Sequence, residues 1–495
     1  MLTQLKINGF KNLVDVCIRF GPFTCVAGAN GIGKSNLFDA IAFLSALASK
    51  PLSEAAHSVR DDADRQKDLR GSDIRGLFHR VGNVSVQEMS FEVEMIVPSS
   101  AVDEYGQQAT ASITFLRYSL RLGLRKDVQA WNSLGALEIL KEELTHITKA
   151  KTKSHLHFPH ASDWLDEVVK GVRRAPAFIS TSGNSDQRQV KLHQDGGSRG
   201  RPFSKLAHLL PRTMLSSANA AENPTVLCAK REMESWVRMQ LEPSALRAQD
   251  SCDASPHLGI RGEHLPATLY RLAQTQRDSD GQSTRFYAQL SNRLRDLIED
   301  VRGVSVDRDE KRELLTLQIQ GKNGTIYPAR ALSDGTLRFL ALAVLERDPE
   351  AQQVICLEEP ENGIHPERIP AMLRLLQDIA TDPQLPVDDT NPLRQVIVNT
   401  HSPAVVLQVP AESLIFAEAQ EVIDPSGRYT TTRFGGLEGT WRTQPPAKEE
   451  PLAFGRLLAY INPIAMDAQV REFAQRVVDT QAVQMLLPFT QSGTK

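Results

Sequence analysis

Apolar positions along the chain repeat with two different periods, and the order in which the periods occur predicts the architecture. Val14, Val16, Ile18 and Phe20 alternate with polar neighbours, as a half-buried strand does. Phe23–Ala27 is a short apolar run ending in glycines. Lys34–Ala48 then carries Leu37, Ile41, Leu44 and Leu47 at helical spacing. Tyr118, Leu120, Leu122 and Leu124 alternate again and predict a strand. The charged stretch 60–73 reads as an exposed loop.

The middle of the chain reads differently. Leu137–Leu144 and Phe286–Val301 predict helices, and Ser180–Ser204, rich in Gly, Ser, Gln and Arg, predicts a mobile polar tract. From about residue 312 strands return. Leu315, Leu317 and Ile319 alternate, and Asn323-Gly324 supplies a hairpin turn. Helix 336–347, strand 353–358, helix 366–380 and strand 395–400 follow. Strand–helix alternation of this kind predicts an α/β core. Leu452–Tyr460 and Val470–Leu487 have helical spacing, and no internal repeat is present.

Composition narrows the class. The 495 residues are 41% apolar and 24% charged, which excludes collagen-like and wholly disordered chains. The net charge of −3 gives no global positive field for nucleic acid. Locally, residues 141–205 hold 12 Lys/Arg against 7 Asp/Glu, so Lys149, Lys151, Lys153, Arg173, Arg174, Arg188, Arg199 and Arg201 are candidates for a nucleic-acid track. His155, His157 and His160 are weak metal candidates. No run of about 18 apolar residues predicts a membrane span, and the first residues do not read as a signal peptide. The five scattered cysteines form no CxxC pair and read as reduced thiols of a cytoplasmic protein.

Four motifs carry chemistry. Residues Gly28, Asn30, Gly31, Gly33, Lys34, Ser35 and Asn36 belong to a GxxxxGK[ST] loop between a strand and a helix. Its glycines let backbone N–H groups wrap phosphate oxygens; Lys34 can reach the β/γ-phosphates and Ser35 can ligate Mg²⁺. The run Val354–Leu357 ends in Glu358 and Glu359. One of these carboxylates can hold the magnesium shell while the other polarises an attacking water. Ser333, Asp334 and Gly335 open a helix, a capping arrangement that can also bind an anion. His401 stands at the end of strand 395–400.

The order of these motifs, together with LKINGFKNL at the start, resembles ABC-type ATPases. More narrowly, it is similar to SMC-like, RecF- and OLD-related bacterial ATPases, including Septu-type (PtuA-like) anti-phage ATPases. The likeness covers residues 1–125 and about 305–420. It implies an α/β ABC-type head split by a largely helical insertion. The head lobes would be 1–125 and 305–420, the insertion 126–304, and a C-terminal docking segment 421–495. It further implies Glu358 at the Walker B position, Glu359 as the catalytic carboxylate, and His401 as the γ-phosphate sensor. Asn362–His365 would form the D-loop, with Lys11 and Asn12 near the nucleotide base. Ser333 and Gly335 would reach the ATP of a second subunit. Glu358 replaces the more usual Asp, and LSDGT replaces LSGGQ. Gln87 is a candidate Q-loop residue only because it precedes a strand.

The separation of 298 positions from Ser35 to Ser333 exceeds the spacing in transporter ATPases, and no sustained heptads suggest a coiled-coil arm. Residues 402–495 contain no Asp-x-Asp, so no intrinsic nuclease is expected. The expected protein is an ATP- and Mg²⁺-dependent homodimer or higher homo-oligomer in a bacterial anti-phage complex. It would control a separately encoded effector, a nuclease. A RecF-like repair ATPase that binds DNA directly is the alternative.

Overall fold

Strands Phe23–Ala27, Val354–Glu358 and Gln395–Thr400 are almost wholly buried, and in a computed structural model they lie side by side and parallel. Their continuous apolar runs suit strands covered on both faces. The sheet runs Trp236–Met239, Val354–Glu358, Gln395–Thr400, Phe23–Ala27, Leu414–Asp424, Gly427–Gly436. Only the last pair, a hairpin, is antiparallel. The hairpin crosses residue 420, so the sheet continues into the stretch expected to be a docking segment. The structure describes residues 1–59, 74–82, 84–125, 135–171, 177–184, 187–195, 202–276, 284–351, 353–425, 427–445, 451–452 and 454–461. The charged stretch 60–73, the helical pattern Val470–Leu487 and the arginines 173, 174, 199 and 201 lie outside the described residues.

A second sheet of eight antiparallel strands includes Leu2–Asn8, Val16–Arg19, Glu88–Ile96 and Phe115–Leu124. Between the sheets, one apolar core takes in Leu37, Phe38, Ile41 and Leu44 of helix Lys34–Ser49 and Val226, Leu227 and Met233 of helix Pro224–Glu234. Phe10, Phe43 and Phe91 meet within it, ring centroids 5.6–5.9 Å apart. A smaller sheet holds Asp250–Ser251, Val301–Asp309, Leu314–Gly321 and Ile326–Pro328, the last two joined through the expected Asn323-Gly324 turn. Residues 1–452 form one compact unit; helix Phe454–Ile461 belongs to a second.

The chain between the motif lobes departs from the sequence expectation. Leu137–His146 is a strand, not a helix. A bulge between Ile139 and Lys141 shifts its register, so Leu137, Ile139, Glu142 and Leu144 point inward, a spacing that imitates a helical stripe. The polar tract Ser180–Ser204 also contains strands. Ile179–Ser182, Gln189–Leu192 and Phe203–Leu206 continue the eight-stranded sheet, with Val190 and Leu192 as inward anchors. Pairing satisfies their backbone groups where side-chain hydrophobicity is low. The helix at 286–301 ends earlier, at Arg295, and a strand begins at Val301.

Glu142 is fully buried at the start of the short helix Leu215–Ser217. It accepts N–H bonds from Met214 (2.8 Å) and Leu215 (2.9 Å) and the Tyr118 hydroxyl at 3.2 Å. Burial outweighs these bonds and raises its carboxyl from an ordinary 4.5 to about 7. The folded chain therefore holds a proton there that the unfolded chain has released. The associated stability is complete below pH 4.5 and is lost as pH rises toward 7. Glu142→Gln should flatten that decline by up to about 1.4 kcal/mol per pH unit, read from urea unfolding across the window. An unchanged slope would exclude Glu142 as its source.

Candidate functional site

The parallel register places three of the motifs at one end of the six-stranded sheet. Thr400 lies beside Ala27 and Glu358 beside Asn399, so the chain leaves all three strands toward the same edge. Ligand sites of open parallel sheets form at such carboxyl ends. Here the loop from Gly28 leads into helix Lys34–Ser49, whose first N–H groups have no intrahelical partners. Gly33 caps the helix at φ 115°, and a Cβ there would drive into the Asn12 amide and the Thr432 hydroxyl. Lys34 folds back, donating to the carbonyls of Gly28 (2.6 Å) and Ala29 (2.8 Å). Burial lowers its ammonium below the ordinary value, while the charges of Glu359, Glu361 and Glu358 oppose that shift. Asn30, Gly31 and Ser35 are exposed.

The loop is braced from two distant parts of the chain. Asn12 donates to the Ile32 carbonyl and to the Thr432 hydroxyl, both at 2.8 Å, and accepts from Asn36 at 2.7 Å. Thr432 in turn donates to the Ile32 carbonyl at 2.6 Å. The polar groups of Asn12 are thus engaged in shaping the loop. Its neighbour Lys11 pairs with Asp39 on the following helix.

Glu359 sits just past the strand end with a left-handed φ of 46°. Its N–H donates to both oxygens of Asn399, the backbone carbonyl and the side-chain amide, each at 3.1 Å. That grip holds a conformation costly for a side-chain-bearing residue. The His401 Nδ1–H donates to one carboxylate oxygen at 2.7 Å, and the Asn362 amide donates to the other at 2.8 Å. Burial works to raise this carboxyl. The bonds from Asn362 and His401, with the charges of His401 and Lys34, prevail and hold it below the ordinary value. Glu359 is therefore an ionised acceptor fixed in direction.

Glu358 faces the other way. Its carboxylate lies 2.6 Å from Arg238 Nε, and burial raises it above the ordinary value against the arginine's charge. Arg238 Nη1 also meets Asp39 at 2.5 Å. Glu361 is buried, takes the Thr400 hydroxyl on one oxygen, and is raised by burial. A cavity of about 190 Å³ opens beside Glu358 and Glu359 and is also lined by Gln240, Arg338 and Asn362.

The donor set fits a hard divalent cation. Magnesium is normally held by one or two protein oxygens plus phosphate and water. Ser35 offers an exposed hydroxyl, and Glu358 Oε1 is buried with no aligned hydrogen bond despite the nearby guanidinium.

Ser333 caps helix Asp334–Arg347, accepting from the Thr336 N–H at 3.2 Å, and it is exposed. Gly335 is buried: a Cβ there would strike the Gly363 carbonyl, so this glycine lets the helix start pack on its own Asn362–His365 turn. The other candidates lie elsewhere. Gln87 is exposed and donates to the Ser85 carbonyl. His155 meets Glu94 at 3.0 Å, His157 the Ser154 carbonyl and His160 the Phe158 carbonyl. No metal-holding group of three or more His, Cys, Asp or Glu occurs among the described residues. Lys149 pairs with Asp166. Sequence reasoning missed Arg238, Asp39, Glu361, Thr400 and Thr432. Only Glu361 and Thr400, adjacent to recognised motifs, carried a local signal.

The sequence matches, over residues 23–207 and 254–407, the family described as "AAA domain, putative AbiEii toxin, Type IV TA system". A 76-residue stretch is 36% identical to the "DNA replication and repair protein RecF" of Paenarthrobacter aurescens (strain TC1). That stretch is 15% of this chain and 19% of RecF, so the match spans about a fifth of that relative. Among solved structures, an SMC head bound to the C-terminal winged-helix domain of ScpA aligns over 88% of this chain and 98% of its own, with TM-score 0.43 and 13% identity. The SMC head domain from Thermotoga maritima aligns over 88% and 99%, with TM-score 0.36 and 11% identity. Among the described residues, no helix is long and apolar enough to cross a membrane.

Proposed function

Because the chain belongs to this AAA-domain family, the one named for AbiEii, we propose that it binds ATP at the Gly28–Asn36 loop and hydrolyses it to ADP and phosphate. The observation that carries the reading is Glu359. It is an ionised carboxylate aimed by His401 and Asn362 and placed at the same sheet end as Lys34. Lys34 and the N–H groups of the helix start hold the phosphates, which requires the Lys34 ammonium to leave the Gly28 and Ala29 carbonyls. Ser35 and Glu358 would hold Mg²⁺, which when bound supplies neutralisation of charge on the phosphates. Glu359 accepts the proton of the attacking water, and His401 keeps the carboxylate directed. The decisive assay is phosphate release by the purified chain; no turnover above the Lys34→Ala background would overturn the reading.

A second copy completes the site in this proposal. Ser333 is exposed at a helix start, where its hydroxyl, held by Thr336, can face another chain's nucleotide. ATP should then double the mass seen by light scattering. Ser333→Arg should abolish that doubling while nucleotide still binds each chain, and a dimer unaffected by Ser333→Arg would exclude the head-to-tail contact.

The biological reading follows the family name, which describes a toxin of a type IV toxin–antitoxin system. We read the chain as an ATPase of a bacterial defence complex that controls a separately encoded effector, and, because residues 402–495 contain no Asp-x-Asp, as one with no nuclease of its own. Metal-dependent DNA cleavage by the chain alone would contradict that. The RecF similarity favours a second reading, direct DNA binding. It requires steeply salt-dependent binding that is lost on charge reversal at Lys149, Lys151 and Lys153.

A further inference from the structure

Arg238 stands on strand Trp236–Met239, next to Cys356 of the strand that delivers Glu358 and Glu359. The stretch that carries it, residues 208–253, falls between the two matched family segments. Its guanidinium is divided between two carboxylates: Nη1 lies 2.5 Å from Asp39 Oδ1, and Nε lies 2.6 Å from Glu358 Oε1. The second oxygen of Asp39 is held by the Lys11 ammonium. The result is a chain of alternating charges, Lys11, Asp39, Arg238, Glu358. Even Arg238, the most exposed of them, keeps only 27% of its side-chain surface open, so the coupling is stronger than in bulk water.

The two ends of this chain touch different parts of the site. Lys11 precedes Asn12, whose amide is bonded to the phosphate loop at Ile32. Glu358 is the carboxylate suited to a divalent cation, yet a cation already faces it. An anion bound in the loop would compete with Asp39 for Lys11. Once Lys11 leaves, Asp39 presents two oxygens to a guanidinium whose fork suits two-point pairing.

We propose that Arg238 is a positioning residue that holds Glu358 as a counter-ion until nucleotide draws Lys11 from Asp39, after which Asp39 takes Arg238 and Glu358 is released to the metal. The site thereby admits its metal after its nucleotide. This inference rests on the ATPase reading and deepens it.

The test uses Mn²⁺ as probe, followed by electron paramagnetic resonance on the full chain, with and without a non-hydrolysable ATP analogue. Arg238→Met should tighten Mn²⁺ binding without nucleotide on the order of tenfold, within the range that residues neighbouring a metal's ligands control. The further gain on adding the analogue should shrink. The double variant Arg238→Met/Glu358→Gln should lose the tightening, which identifies Glu358 as its source. Asp39→Asn should act in the opposite sense, weakening analogue-supported Mn²⁺ binding because Arg238 then has only Glu358. Arg238→Lys should fall between wild type and Arg238→Met. Unchanged or weaker nucleotide-free Mn²⁺ binding in a folded Arg238→Met chain overturns the inference. Should that variant fail to fold, unchanged analogue-supported binding in Asp39→Asn overturns it equally. Analogue binding by the wild type is measured separately. If the wild type binds no analogue, the ATPase reading falls and the inference with it; if it binds and the variants behave as wild type, only the inference falls.

Discussion

Replacing Glu359 with glutamine is expected to lower ATP turnover by about 10²–10⁴-fold, the contribution of a well-placed general base. ATP binding should persist. The substitution keeps the side-chain length, and the new amide can still accept from Asn362 while donating its N–H to an unprotonated His401 Nδ1. The left-handed backbone at Glu359 is held by Asn399 and does not depend on the carboxylate charge. Nucleotide affinity from a fluorescent ATP analogue and turnover from phosphate release therefore separate in this variant. Turnover equal to wild type would remove Glu359 as the base. Loss of both would point to a collapsed site, and a melting curve resolves that case.

The second large effect is expected at Lys34. Lys34→Ala should weaken ATP binding and lower turnover together, by about 10²–10³-fold, the cost of deleting one charged clamp on a phosphoryl group. The fold should survive, since the lost bonds run only to the Gly28 and Ala29 carbonyls at the start of the loop. Removing an ammonium whose charged form burial already disfavours also relieves a desolvation penalty. The variant should therefore melt no lower than the wild type. Unimpaired ATP binding would exclude this loop as the phosphate site.

The contrast between these residues and Arg238 marks how far the sequence could be read. The Gly28–Asn36 loop, the Glu358-Glu359 pair and the cap at Ser333 are legible because each is local: the residues lie within a few positions of the strand or helix that presents them. The three parallel strands were legible for the same reason, as short, largely apolar runs. Arg238, Asp39 and Thr432 reach the site only through strand order, and nothing near Arg238 in WVRMQ distinguishes it from a surface cation. The strand at Leu137–His146 was hidden by its bulge, which replaces period two with a helix-like spacing, and by the inward-facing Glu142, which breaks the apolar pattern. The paired strands inside 179–206 were hidden because sheet pairing there relies on backbone groups, which composition does not reveal.

Strand order has one more consequence. Phe23–Ala27 lies between Gln395–Thr400 and Leu414–Asp424, and Thr432 of the following strand closes on Ile32. The segment that holds the Gly28–Asn36 loop is thus made long before either strand beside it in the sheet. Until Gln395–Thr400 has been made, Phe23–Ala27 has no sheet neighbour, and until Thr432 has been made its loop lacks the hydroxyl that braces it. Contacts this far apart in sequence form slowly and leave apolar segments uncovered in the meantime. A nascent or truncated chain ending before the hairpin carries every recognised motif and still lacks the Thr432 brace on the Gly28–Asn36 loop. Such a fragment is expected to bind ATP more weakly than a chain that includes Thr432.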